Sequence, residues 1–566
     1  MLAFQTLTQT PEPETVNLNG PLSLILLLGV ILSVPISASL LWLYRRAVRK
    51  SMRARVTPPT AEEPHTATPS QSSAPLPKLA IVDRPAASLM TPAATALFNE
   101  VRRARWRVAA VYIVAGVCFA SIMTTASLTA NGLEFFALRV LVQFWIDVWP
   151  LVLTVNLIVN TSRLAKLTTA IVYFVVFAII MIAVTAGSTA PIWSAPVAWL
   201  LFNLPATLLL LGFLNRRVRA VGPLVLIFLI VALAGPQVII FIAASDDRVL
   251  RLLVTLGEPL GLGGTHILIG LVLFGFLCAG PIGWLTLKWI RRRYERKIIS
   301  DETITLDAIW LLFGFIQSLM LASQGAVWLL SGFVAFFAYK IIAWLGFSLI
   351  KASDPTKANV RLLLLRVFSL GKRSGQLFGA LEKHWRHVGS IQLIAGTDLA
   401  TDNLEPHEFL DFLSARLARR FIDAPATLKL RISEMDLAPD QDGRFRVNEF
   451  FSHDDTWKHV LDRLVIESDA VLMDLRGFSP QNAGCIYEIA ELINVVSLAR
   501  VQFVIDQTTN EPFLLQCLQE SWHSMKPGSP NKTNGAAEVR VFRFAGSGLG
   551  ELSELLRSLC MAAKAA

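Results

Sequence analysis

Apolar runs of about 20 residues recur between Trp106 and Ile350, with almost no charged residue inside them. Such a run is long enough to cross roughly 30 Å of hydrocarbon as an α-helix. In a bilayer each backbone N–H and C=O needs a partner in its own segment, and no run alternates with the period of two that a barrel strand requires. The sequence therefore predicts a polytopic bundle of membrane-spanning helices. The overall composition of 54% hydrophobic and 17% charged residues agrees with this class.

The formal net charge of +10 would also suit a nucleic-acid-binding protein. However, residues 351–566 contain 25 Lys and Arg against 27 Asp and Glu, whereas residues 1–350 contain 27 against 15. The excess positive charge flanks the apolar runs, where it orients membrane helices. We therefore expect the lipid bilayer as a partner and no nucleic acid.

Metal and disulfide frameworks are not indicated. Five cysteines are scattered without a CxxC pair, which fits a reducing compartment for the C-terminal part. His384 and His387 share one face of a predicted helix, but no further ligand residues cluster with them. We expect no metal site, and no cofactor other than NAD or another nucleotide as a ligand or substrate.

The N-terminal part predicts a signal anchor. Residues 1–20 contain no Lys or Arg, and basic residues follow the apolar run at 21–44, which places a short N-terminus outside the cell membrane. A cleaved signal peptide is the alternative. Residues 45–105 are predicted to be a cytosolic linker, rich in Pro, Ser and Thr and flexible over 56–92.

We predict nine spans, of which eight lie in a membrane domain at 106–350. After the anchor at 21–44 they are placed near 108–128, 136–158, 167–187, 193–213, 221–243, 266–289, 306–323 and 326–350. Basic clusters fall on alternate connections, so the positive-inside rule assigns those loops and the C-terminus to the cytoplasm of a plasma (inner) membrane protein. A single span at 306–350 would instead place the C-terminal domain outside.

Two ionisable residues within the predicted spans are candidate functional groups. Asp147 lies between two tryptophans, and Lys340 follows two phenylalanines. The two side chains could pair across the bundle. Alternatively, Asp147 belongs to a polar packing cluster and Lys340 reaches towards the membrane interface.

Residues 351–566 predict a cytosolic α/β domain. Short apolar strands are expected at 362–368, 391–395, 427–432, 470–474, 501–506 and 539–544. Helices are expected at 375–387, 406–421, 456–467, 485–496 and 549–560. This alternation predicts a mostly parallel, doubly wound sheet, which binds ligands at the carboxyl ends of its strands.

The stretch 468–494 carries the strongest chemical signal. A buried strand ends at Asp474, a loop of Gly, Ser and Pro follows, and Asn482 is placed to cap a helix that carries Glu488. Helical spacing directs Glu488 to the cleft or to solvent. A carboxylate held beside Asp474 could have a raised pKa or act as a nucleophile on a sugar carbon. An exposed helical glutamate without a catalytic role is the alternative.

This stretch resembles two families. It is similar to nucleoside 2-deoxyribosyltransferases, whose Asp-x-Gly-x-x-x-Glu pattern falls on Asn482, Gly484 and Glu488, with Asn in place of Asp. It also resembles Toll/interleukin receptor (TIR) domains, whose Cys-x-x-Glu pattern falls on Cys485 and Glu488, with Gly484 in place of the usual Trp. In both families that Glu serves cleavage of an N-glycosidic bond. The resemblance therefore implies Glu488 as the catalytic residue.

The loops after the first two predicted strands supply candidate substrate ligands. Ser369, Lys372 and Arg373 follow the first strand, and Thr397 and Asp398 follow the second. We expect these residues, with Asn482, to hold ribose hydroxyls and phosphates, and we expect Asp474 to act with Glu488 as a catalytic residue that orients the ribose. Ordinary polar turns are the alternative.

Three functions follow as hypotheses. The first is a membrane-anchored signalling or defence-type protein whose tail binds and cleaves a nucleotide such as NAD, as an NAD nucleosidase or related N-glycosidic hydrolase or transferase. The second is a non-catalytic sensor or scaffold, and the third is a transporter or channel with a regulatory tail. We also consider homo-oligomerisation through the cytosolic domain.

Overall fold

The computed structural model of the chain is mostly helical, with a sheet of parallel strands in the C-terminal region. It describes residues 34–48, 50, 79–83, 90–159, 163–185, 193–213, 221–245, 247–257, 259, 263–354, 356–367, 372–395, 409, 412–413, 421–422, 424–453, 456–532, 538–545 and 549–565.

The apolar region is built from helices. Residues 34–48 form helix α1. The helices that follow are α2 (Pro92–Ala130), α3 (Ala137–Asp147), α4 (Trp149–Ile158), α5 (Arg163–Thr185), α6 (Ser194–Phe213), α7 (Gly222–Ser245), α8 (Asp247–Gly257), α9 (Gly264–Glu295), α10 (Asp301–Leu321) and α11 (Ser331–Leu349).

Six of the described helices are long and apolar enough to cross a membrane, namely α2, α5, α7, α9, α10 and α11. The pair α3 and α4 passes the same test as one span bent by 42°, and α6 contributes a shorter apolar helix at Ser194–Leu208. The predicted nine spans are therefore not confirmed, although the segment 306–350 does contain two separate helices. The predicted anchor at 21–44 lies mostly outside the described residues.

Helices α7 and α9 approach each other closely where a glycine of one faces a glycine of the other. A Cβ atom on Gly275 would lie 2.4 Å from the Cα and N atoms of Pro236, and one on Gly235 would lie 2.4 Å from the Gly275 carbonyl oxygen. Small residues allow this distance between membrane helices. At Gly270, on the same helix α9, an added Cβ would meet nothing within 4 Å.

The bend between α3 and α4 follows from Pro150. Proline has no N–H, so the carbonyl of Ile146, four residues earlier, loses its helical partner. Asn203 of α6 donates its Nδ2 to this carbonyl at 2.9 Å. The Tyr173 hydroxyl of α5 donates to the neighbouring Trp145 carbonyl at 2.7 Å. Side chains of adjacent helices thus satisfy the backbone where the helix is broken.

Eight strands form one parallel sheet in the order β1-β8-β7-β6-β2-β3-β5-β4. They are β1 (Ala80–Asp83), β2 (Leu362–Arg366), β3 (Ile391–Ala395), β4 (Phe421–Ile422), β5 (Val447–Ser452), β6 (Ala470–Asp474), β7 (Val501–Ile505) and β8 (Glu538–Arg543). Strands β2, β6 and β7 are buried at every position, as expected for central strands covered on both faces.

Helices cover both faces of this sheet. They are α12 (Lys372–Trp385), α13 (Pro425–Ser433), α14 (Trp457–Glu467), α15 (Ala483–Val495), α16 (Glu511–His523) and α17 (Leu549–Ala563). Leu362 and Leu364 face α12, α17 and the start of α2. Leu363 and Leu365 face α14, α15 and α16, because successive side chains of a strand point to opposite faces.

Five of the six predicted strands are confirmed, and one is wrong. Residues 427–432 belong to helix α13 instead of a strand. Strands β4 and β5 and helix α16 were not predicted, and most of the predicted helix at 406–421 lies outside the described residues. The predicted linker also contributes structure, since Ala80–Asp83 pairs with Glu538–Val541 at the edge of the sheet.

The apolar helices contact the C-terminal domain through a group of charged residues that we call the joint, formed by residues 294–303, Arg386 and residues 436–446. Arg386 is 1% exposed and donates to both carboxylate oxygens of Asp301, at 3.0 and 2.8 Å. Arg444 pairs with Glu302, and the Ser300 hydroxyl donates to Asp442.

A second set of contacts completes the joint. The Arg446 guanidinium lies 3.9 Å from the centre of the Tyr294 ring, donates to the Tyr294 carbonyl, and pairs with Asp440 at 2.8 Å. Lys297 pairs with Asp436 at 2.9 Å. Ion pairs buried in this way require every partner to be present, because removal of one leaves an uncompensated charge.

Candidate functional site

The candidate site lies at the carboxyl ends of β2 and β6. From β2 the chain continues to β3 on one side of that strand, and it later returns to β6 on the other side. Open α/β sheets bind ligands at such a switch point. Arg366 and Asp474, the last residues of the two strands, are register partners there. We call this place the switch-point site.

Asp474 is fully engaged by its neighbours. Its carboxylate accepts from the Arg476 Nε at 2.8 Å, from the Arg476 Nη2 at 2.7 Å and from the Ser374 hydroxyl at 2.8 Å. The Arg476 backbone N–H adds a contact of 3.3 Å. A carboxylate has about four lone-pair sites, so these donors occupy Asp474. In this structure Asp474 fixes Arg476 and Ser374 and has no site left for a ribose hydroxyl.

Glu488 lies within the domain beside the same strand ends. It is 2% exposed, so the alternative of an exposed helical glutamate is excluded. Burial raises the pKa of its carboxyl group to about 8, although the Cys485 thiol and the Arg366 guanidinium lower it. The carboxyl group is therefore mostly protonated at neutral pH. Its Oε2 atom has no hydrogen-bond partner within the described part of the chain.

Cys485 packs between Glu488 and β2. Its thiol donates to the Arg366 carbonyl at 3.7 Å. Burial raises the pKa of this thiol far above its usual range, and the nearby Glu488 adds to the effect. The thiol is thus an inert spacer and not a nucleophile.

Asn482 stands at the N-cap position of α15, as predicted, but its side chain does not cap the helix. Its Oδ1 atom accepts from the Ser479 N–H at 2.9 Å and from the Ser479 hydroxyl at 3.0 Å. Asn482 therefore shapes the loop between β6 and α15.

The structure describes only some of the predicted substrate-binding residues. Arg373, on α12, is half exposed and pairs with Asp506 at 2.6 Å. Lys372 begins the same helix, but its side chain is outside the described set. Ser369, Thr397 and Asp398 lie outside the described residues.

Sequence reasoning missed two buried arginines at the switch-point site. Arg366 ends the apolar strand LLLLR, and Arg476 follows Asp474 by two residues and stacks at 5.3 Å over Phe544. A signal for Arg366 was present, because a charged residue directly after four leucines must meet a partner at the end of a buried strand. Arg476 gave no such signal, since it stands in a polar loop.

The two membrane candidates do not pair with each other. Asp147 accepts from the Thr124 hydroxyl at 3.0 Å and from the Gln143 amide at 3.1 Å. Lys340 pairs with Asp307 at 2.7 Å. Asp147 therefore belongs to a polar packing cluster at the bend between α3 and α4, and Lys340 joins α11 to α10.

Comparison with protein-family models, curated proteins and solved structures finds no match to this chain.

Proposed function

We propose that this chain is a membrane-anchored signalling or defence-type protein whose C-terminal domain, of TIR-like or deoxyribosyltransferase-like character, binds a nucleotide such as NAD and cleaves its N-glycosidic bond. In this proposal the C-terminal domain faces the cytoplasm and the helices lie in the plasma (inner) membrane. Apolar helices with basic residues on alternate connections support that arrangement.

One observation carries the proposal, namely the buried carboxyl group of Glu488 at the switch point. A buried polar atom without a hydrogen-bond partner is unfavourable by about 1–3 kcal/mol. Strongly shifted carboxyl groups in such positions are typical of functional sites. The Glu488 carboxyl group has both properties, because its Oε2 atom has no hydrogen-bond partner among the described residues and its pKa is raised. It lies beside the strand ends, where a parallel sheet binds ligands.

The chemistry follows from the charge of the ligand. A nicotinamide ring that is joined to ribose is cationic, so its approach would lower the pKa of Glu488 and produce the carboxylate. The carboxylate stabilises positive charge at the sugar C1 as the bond to the ring nitrogen breaks, with the electron pair leaving on the nitrogen. Water then bonds to C1 and gives its proton to Glu488. In this proposal Arg366 and Arg476 orient the phosphates of the ligand.

The test uses purified full-length protein in nanodiscs with NAD and with nucleosides. We expect wild-type protein to release the free base, Glu488→Gln to reduce the rate at least about 100-fold, on the scale of a lost catalytic acid or base, and both to be stabilised thermally by the ligand. Glu491→Gln is the matched control, because Glu491 lies on the same helix beside Lys526. Absence of both turnover and stabilisation in the wild type would refute the proposal.

A non-catalytic sensor is the second candidate, and the joint favours it. The buried ion pairs connect the domain to the first turn of α10, so a ligand that moves the domain also acts on the apolar helices. Stabilisation by NAD without any product, equal in wild type and Glu488→Gln, would select this function. The transporter hypothesis has no support beyond the sequence and stays a prediction.

A further inference from the structure

A separate cavity lies where the apolar helices meet the C-terminal domain. Its volume is about 270 Å³, and it is lined by residues of α2, α12 and α17 together with Val159 and Ala165 at the ends of α4 and α5. Its walls are largely apolar, with Phe98 on one side and Leu552 and Leu556 on the other. It is distinct from the switch-point site, since the two share no residue.

The polar groups of this cavity are cationic or neutral. Arg102 and Arg105 line it, and no carboxylate pairs with either of them in the part of the chain that the structure describes. The Nε atom of Arg105 is buried and has no hydrogen-bond partner there. An arginine donor that is removed from water without an acceptor is unfavourable, so an anionic group bound beside Arg105 would be stabilised.

His384 does not add charge. Its Nδ1 contacts the Ala380 carbonyl at 2.8 Å, and its Nε2 contacts an Arg105 guanidinium nitrogen. Burial lowers the pKa of this imidazole to about 4, and the Arg105 charge contributes. The neutral ring therefore donates from Nδ1 and accepts from Arg105 at Nε2. This contact holds one end of the Arg105 guanidinium in place.

The position of the cavity indicates the source of that ligand. Arg105 precedes Val108, the start of the apolar run of α2, by three residues, about 5 Å along a helix. The first turns of α5 beside it carry Leu164 and Leu167, which are 75% and 58% exposed. The cavity thus opens at the boundary between apolar helix surface and the folded domain, where the headgroups of a bilayer would lie.

We propose that this cavity binds the phosphate of an anionic phospholipid and that Arg102 and Arg105 donate hydrogen bonds to this phosphate. Arginine forks match phosphate oxygens in a bidentate arrangement. The volume suffices for a phosphate ester but not for acyl chains, which would extend along the exposed leucines of α5. A basic pocket beside membrane helices is a recognised way to select a lipid headgroup.

Purified full-length protein is reconstituted into nanodiscs of phosphatidylcholine alone or with phosphatidylglycerol. We expect phosphatidylglycerol to raise the melting temperature by several degrees in the wild type. In Arg102→Gln and Arg105→Gln we expect at least half of this shift to be lost. Arg103→Gln is the matched control, because Arg103 is exposed on the same helix and does not line the cavity, and it should keep the full shift.

Native mass spectrometry gives a second readout that does not depend on stability. Wild type and Arg103→Gln should retain more phosphatidylglycerol than the two cavity variants. If Arg105→Gln fails to fold, Arg102→Gln carries the test, because Arg102 is exposed. Equal shifts in the cavity variants and the wild type would overturn the proposal. A full shift from inorganic phosphate in phosphatidylcholine discs would assign the cavity to a soluble phosphate and overturn the lipid assignment.

Discussion

The Glu488 carboxyl group links folding to pH. Its pKa is raised to about 8 by burial, against an ordinary value of 4.5. Between these two pH values the folded protein keeps a proton that the unfolded chain releases. The free energy of unfolding therefore decreases as pH rises through this range, and the contribution of the protonated group is complete only below about pH 4.5.

We predict that Glu488→Gln stabilises the protein at high pH. Glutamine keeps the shape of the neutral carboxyl group and cannot ionise, so the difference from wild type should be below about 1 kcal/mol at pH 5 and on the order of 4 kcal/mol at pH 8. Melting temperatures of both proteins across this range would measure it. The control Glu491→Gln should give a curve parallel to the wild type. A Glu488→Gln curve parallel to that of the wild type would show that the Glu488 carboxyl group is not held neutral in the folded protein.

At the scale of residues, the sequence singled out Glu488 as a candidate but did not predict its surroundings. The motif around it is local, within 27 residues of one strand, loop and helix. The charge of Arg366 acts on its carboxyl group, yet Arg366 is 122 positions earlier and reaches the site only through the pairing of β2 with β6. For the same reason Asp474 was predicted to contact substrate, whereas the fold supplies Ser374 from another helix to occupy it.

Among the elements, α7 and α9 depend on two glycines for their contact. A side chain at Gly275 would overlap backbone atoms of Pro236, and a change of rotamer cannot relieve an overlap with backbone. The two helices would have to separate along their length. Such a change removes van der Waals contacts, which are the main force between helices in a membrane.

We predict that Gly275→Val reduces the yield of folded protein and lowers its melting temperature, at a cost of about 3 kcal/mol or more, because overpacking against backbone is not relieved by small shifts. Gly270→Val provides the control, since its Cβ meets open space on the same helix. Size-exclusion profiles and melting curves in detergent would compare them. Equal behaviour of the two variants would contradict the close contact.

The sequence predicts elements well where they are long or uniformly apolar and poorly where they are short. Strand β6 and helix α15 are confirmed because each has a clear apolar pattern. The segment 427–432, TLKLRI, alternates like a strand, yet Pro425 begins a helix there and only Leu428 is buried. Strand β5 has an irregular pattern, with its first three residues half-buried, and β4 is two residues long. Strands β4 and β5 are defined by their pairing in the sheet, and the local sequence pattern does not reveal that pairing.

At the scale of the molecule, the sheet includes β1, a strand that precedes α2 and the apolar helices after it. Asp83 of β1 pairs with Arg543 at 2.8 Å, and β1 lies in register with β8. The predicted linker therefore joins the C-terminal domain. The joint adds a second connection, from the start of α10.

We predict that cysteines introduced at positions 81 and 538 are labelled from the same side of the membrane. Ile81→Cys and Glu538→Cys both place a thiol at exposed positions, so a maleimide that cannot cross membranes should reach both in one orientation of a vesicle. Asn131→Cys, at the far end of α2, should label from the other side. Labelling of the parent protein is subtracted because Cys278 is exposed. Opposite sidedness of positions 81 and 538 would contradict the pairing of β1 with β8.

The pairing of β1 with β8 determines whether the number of membrane crossings between these strands is even or odd. A chain that leaves one edge of a sheet and returns to its middle must cross any intervening bilayer an even number of times between Asp83 and Leu362. If each of the six long apolar helices crosses a bilayer, a total of seven crossings is incompatible with this pairing. Under that condition the bent pair of α3 with α4 and the short helix α6 either both cross or both do not, which gives eight or six crossings. Hydrogen bonds between two short strands thus constrain the route of more than 250 residues that separate them.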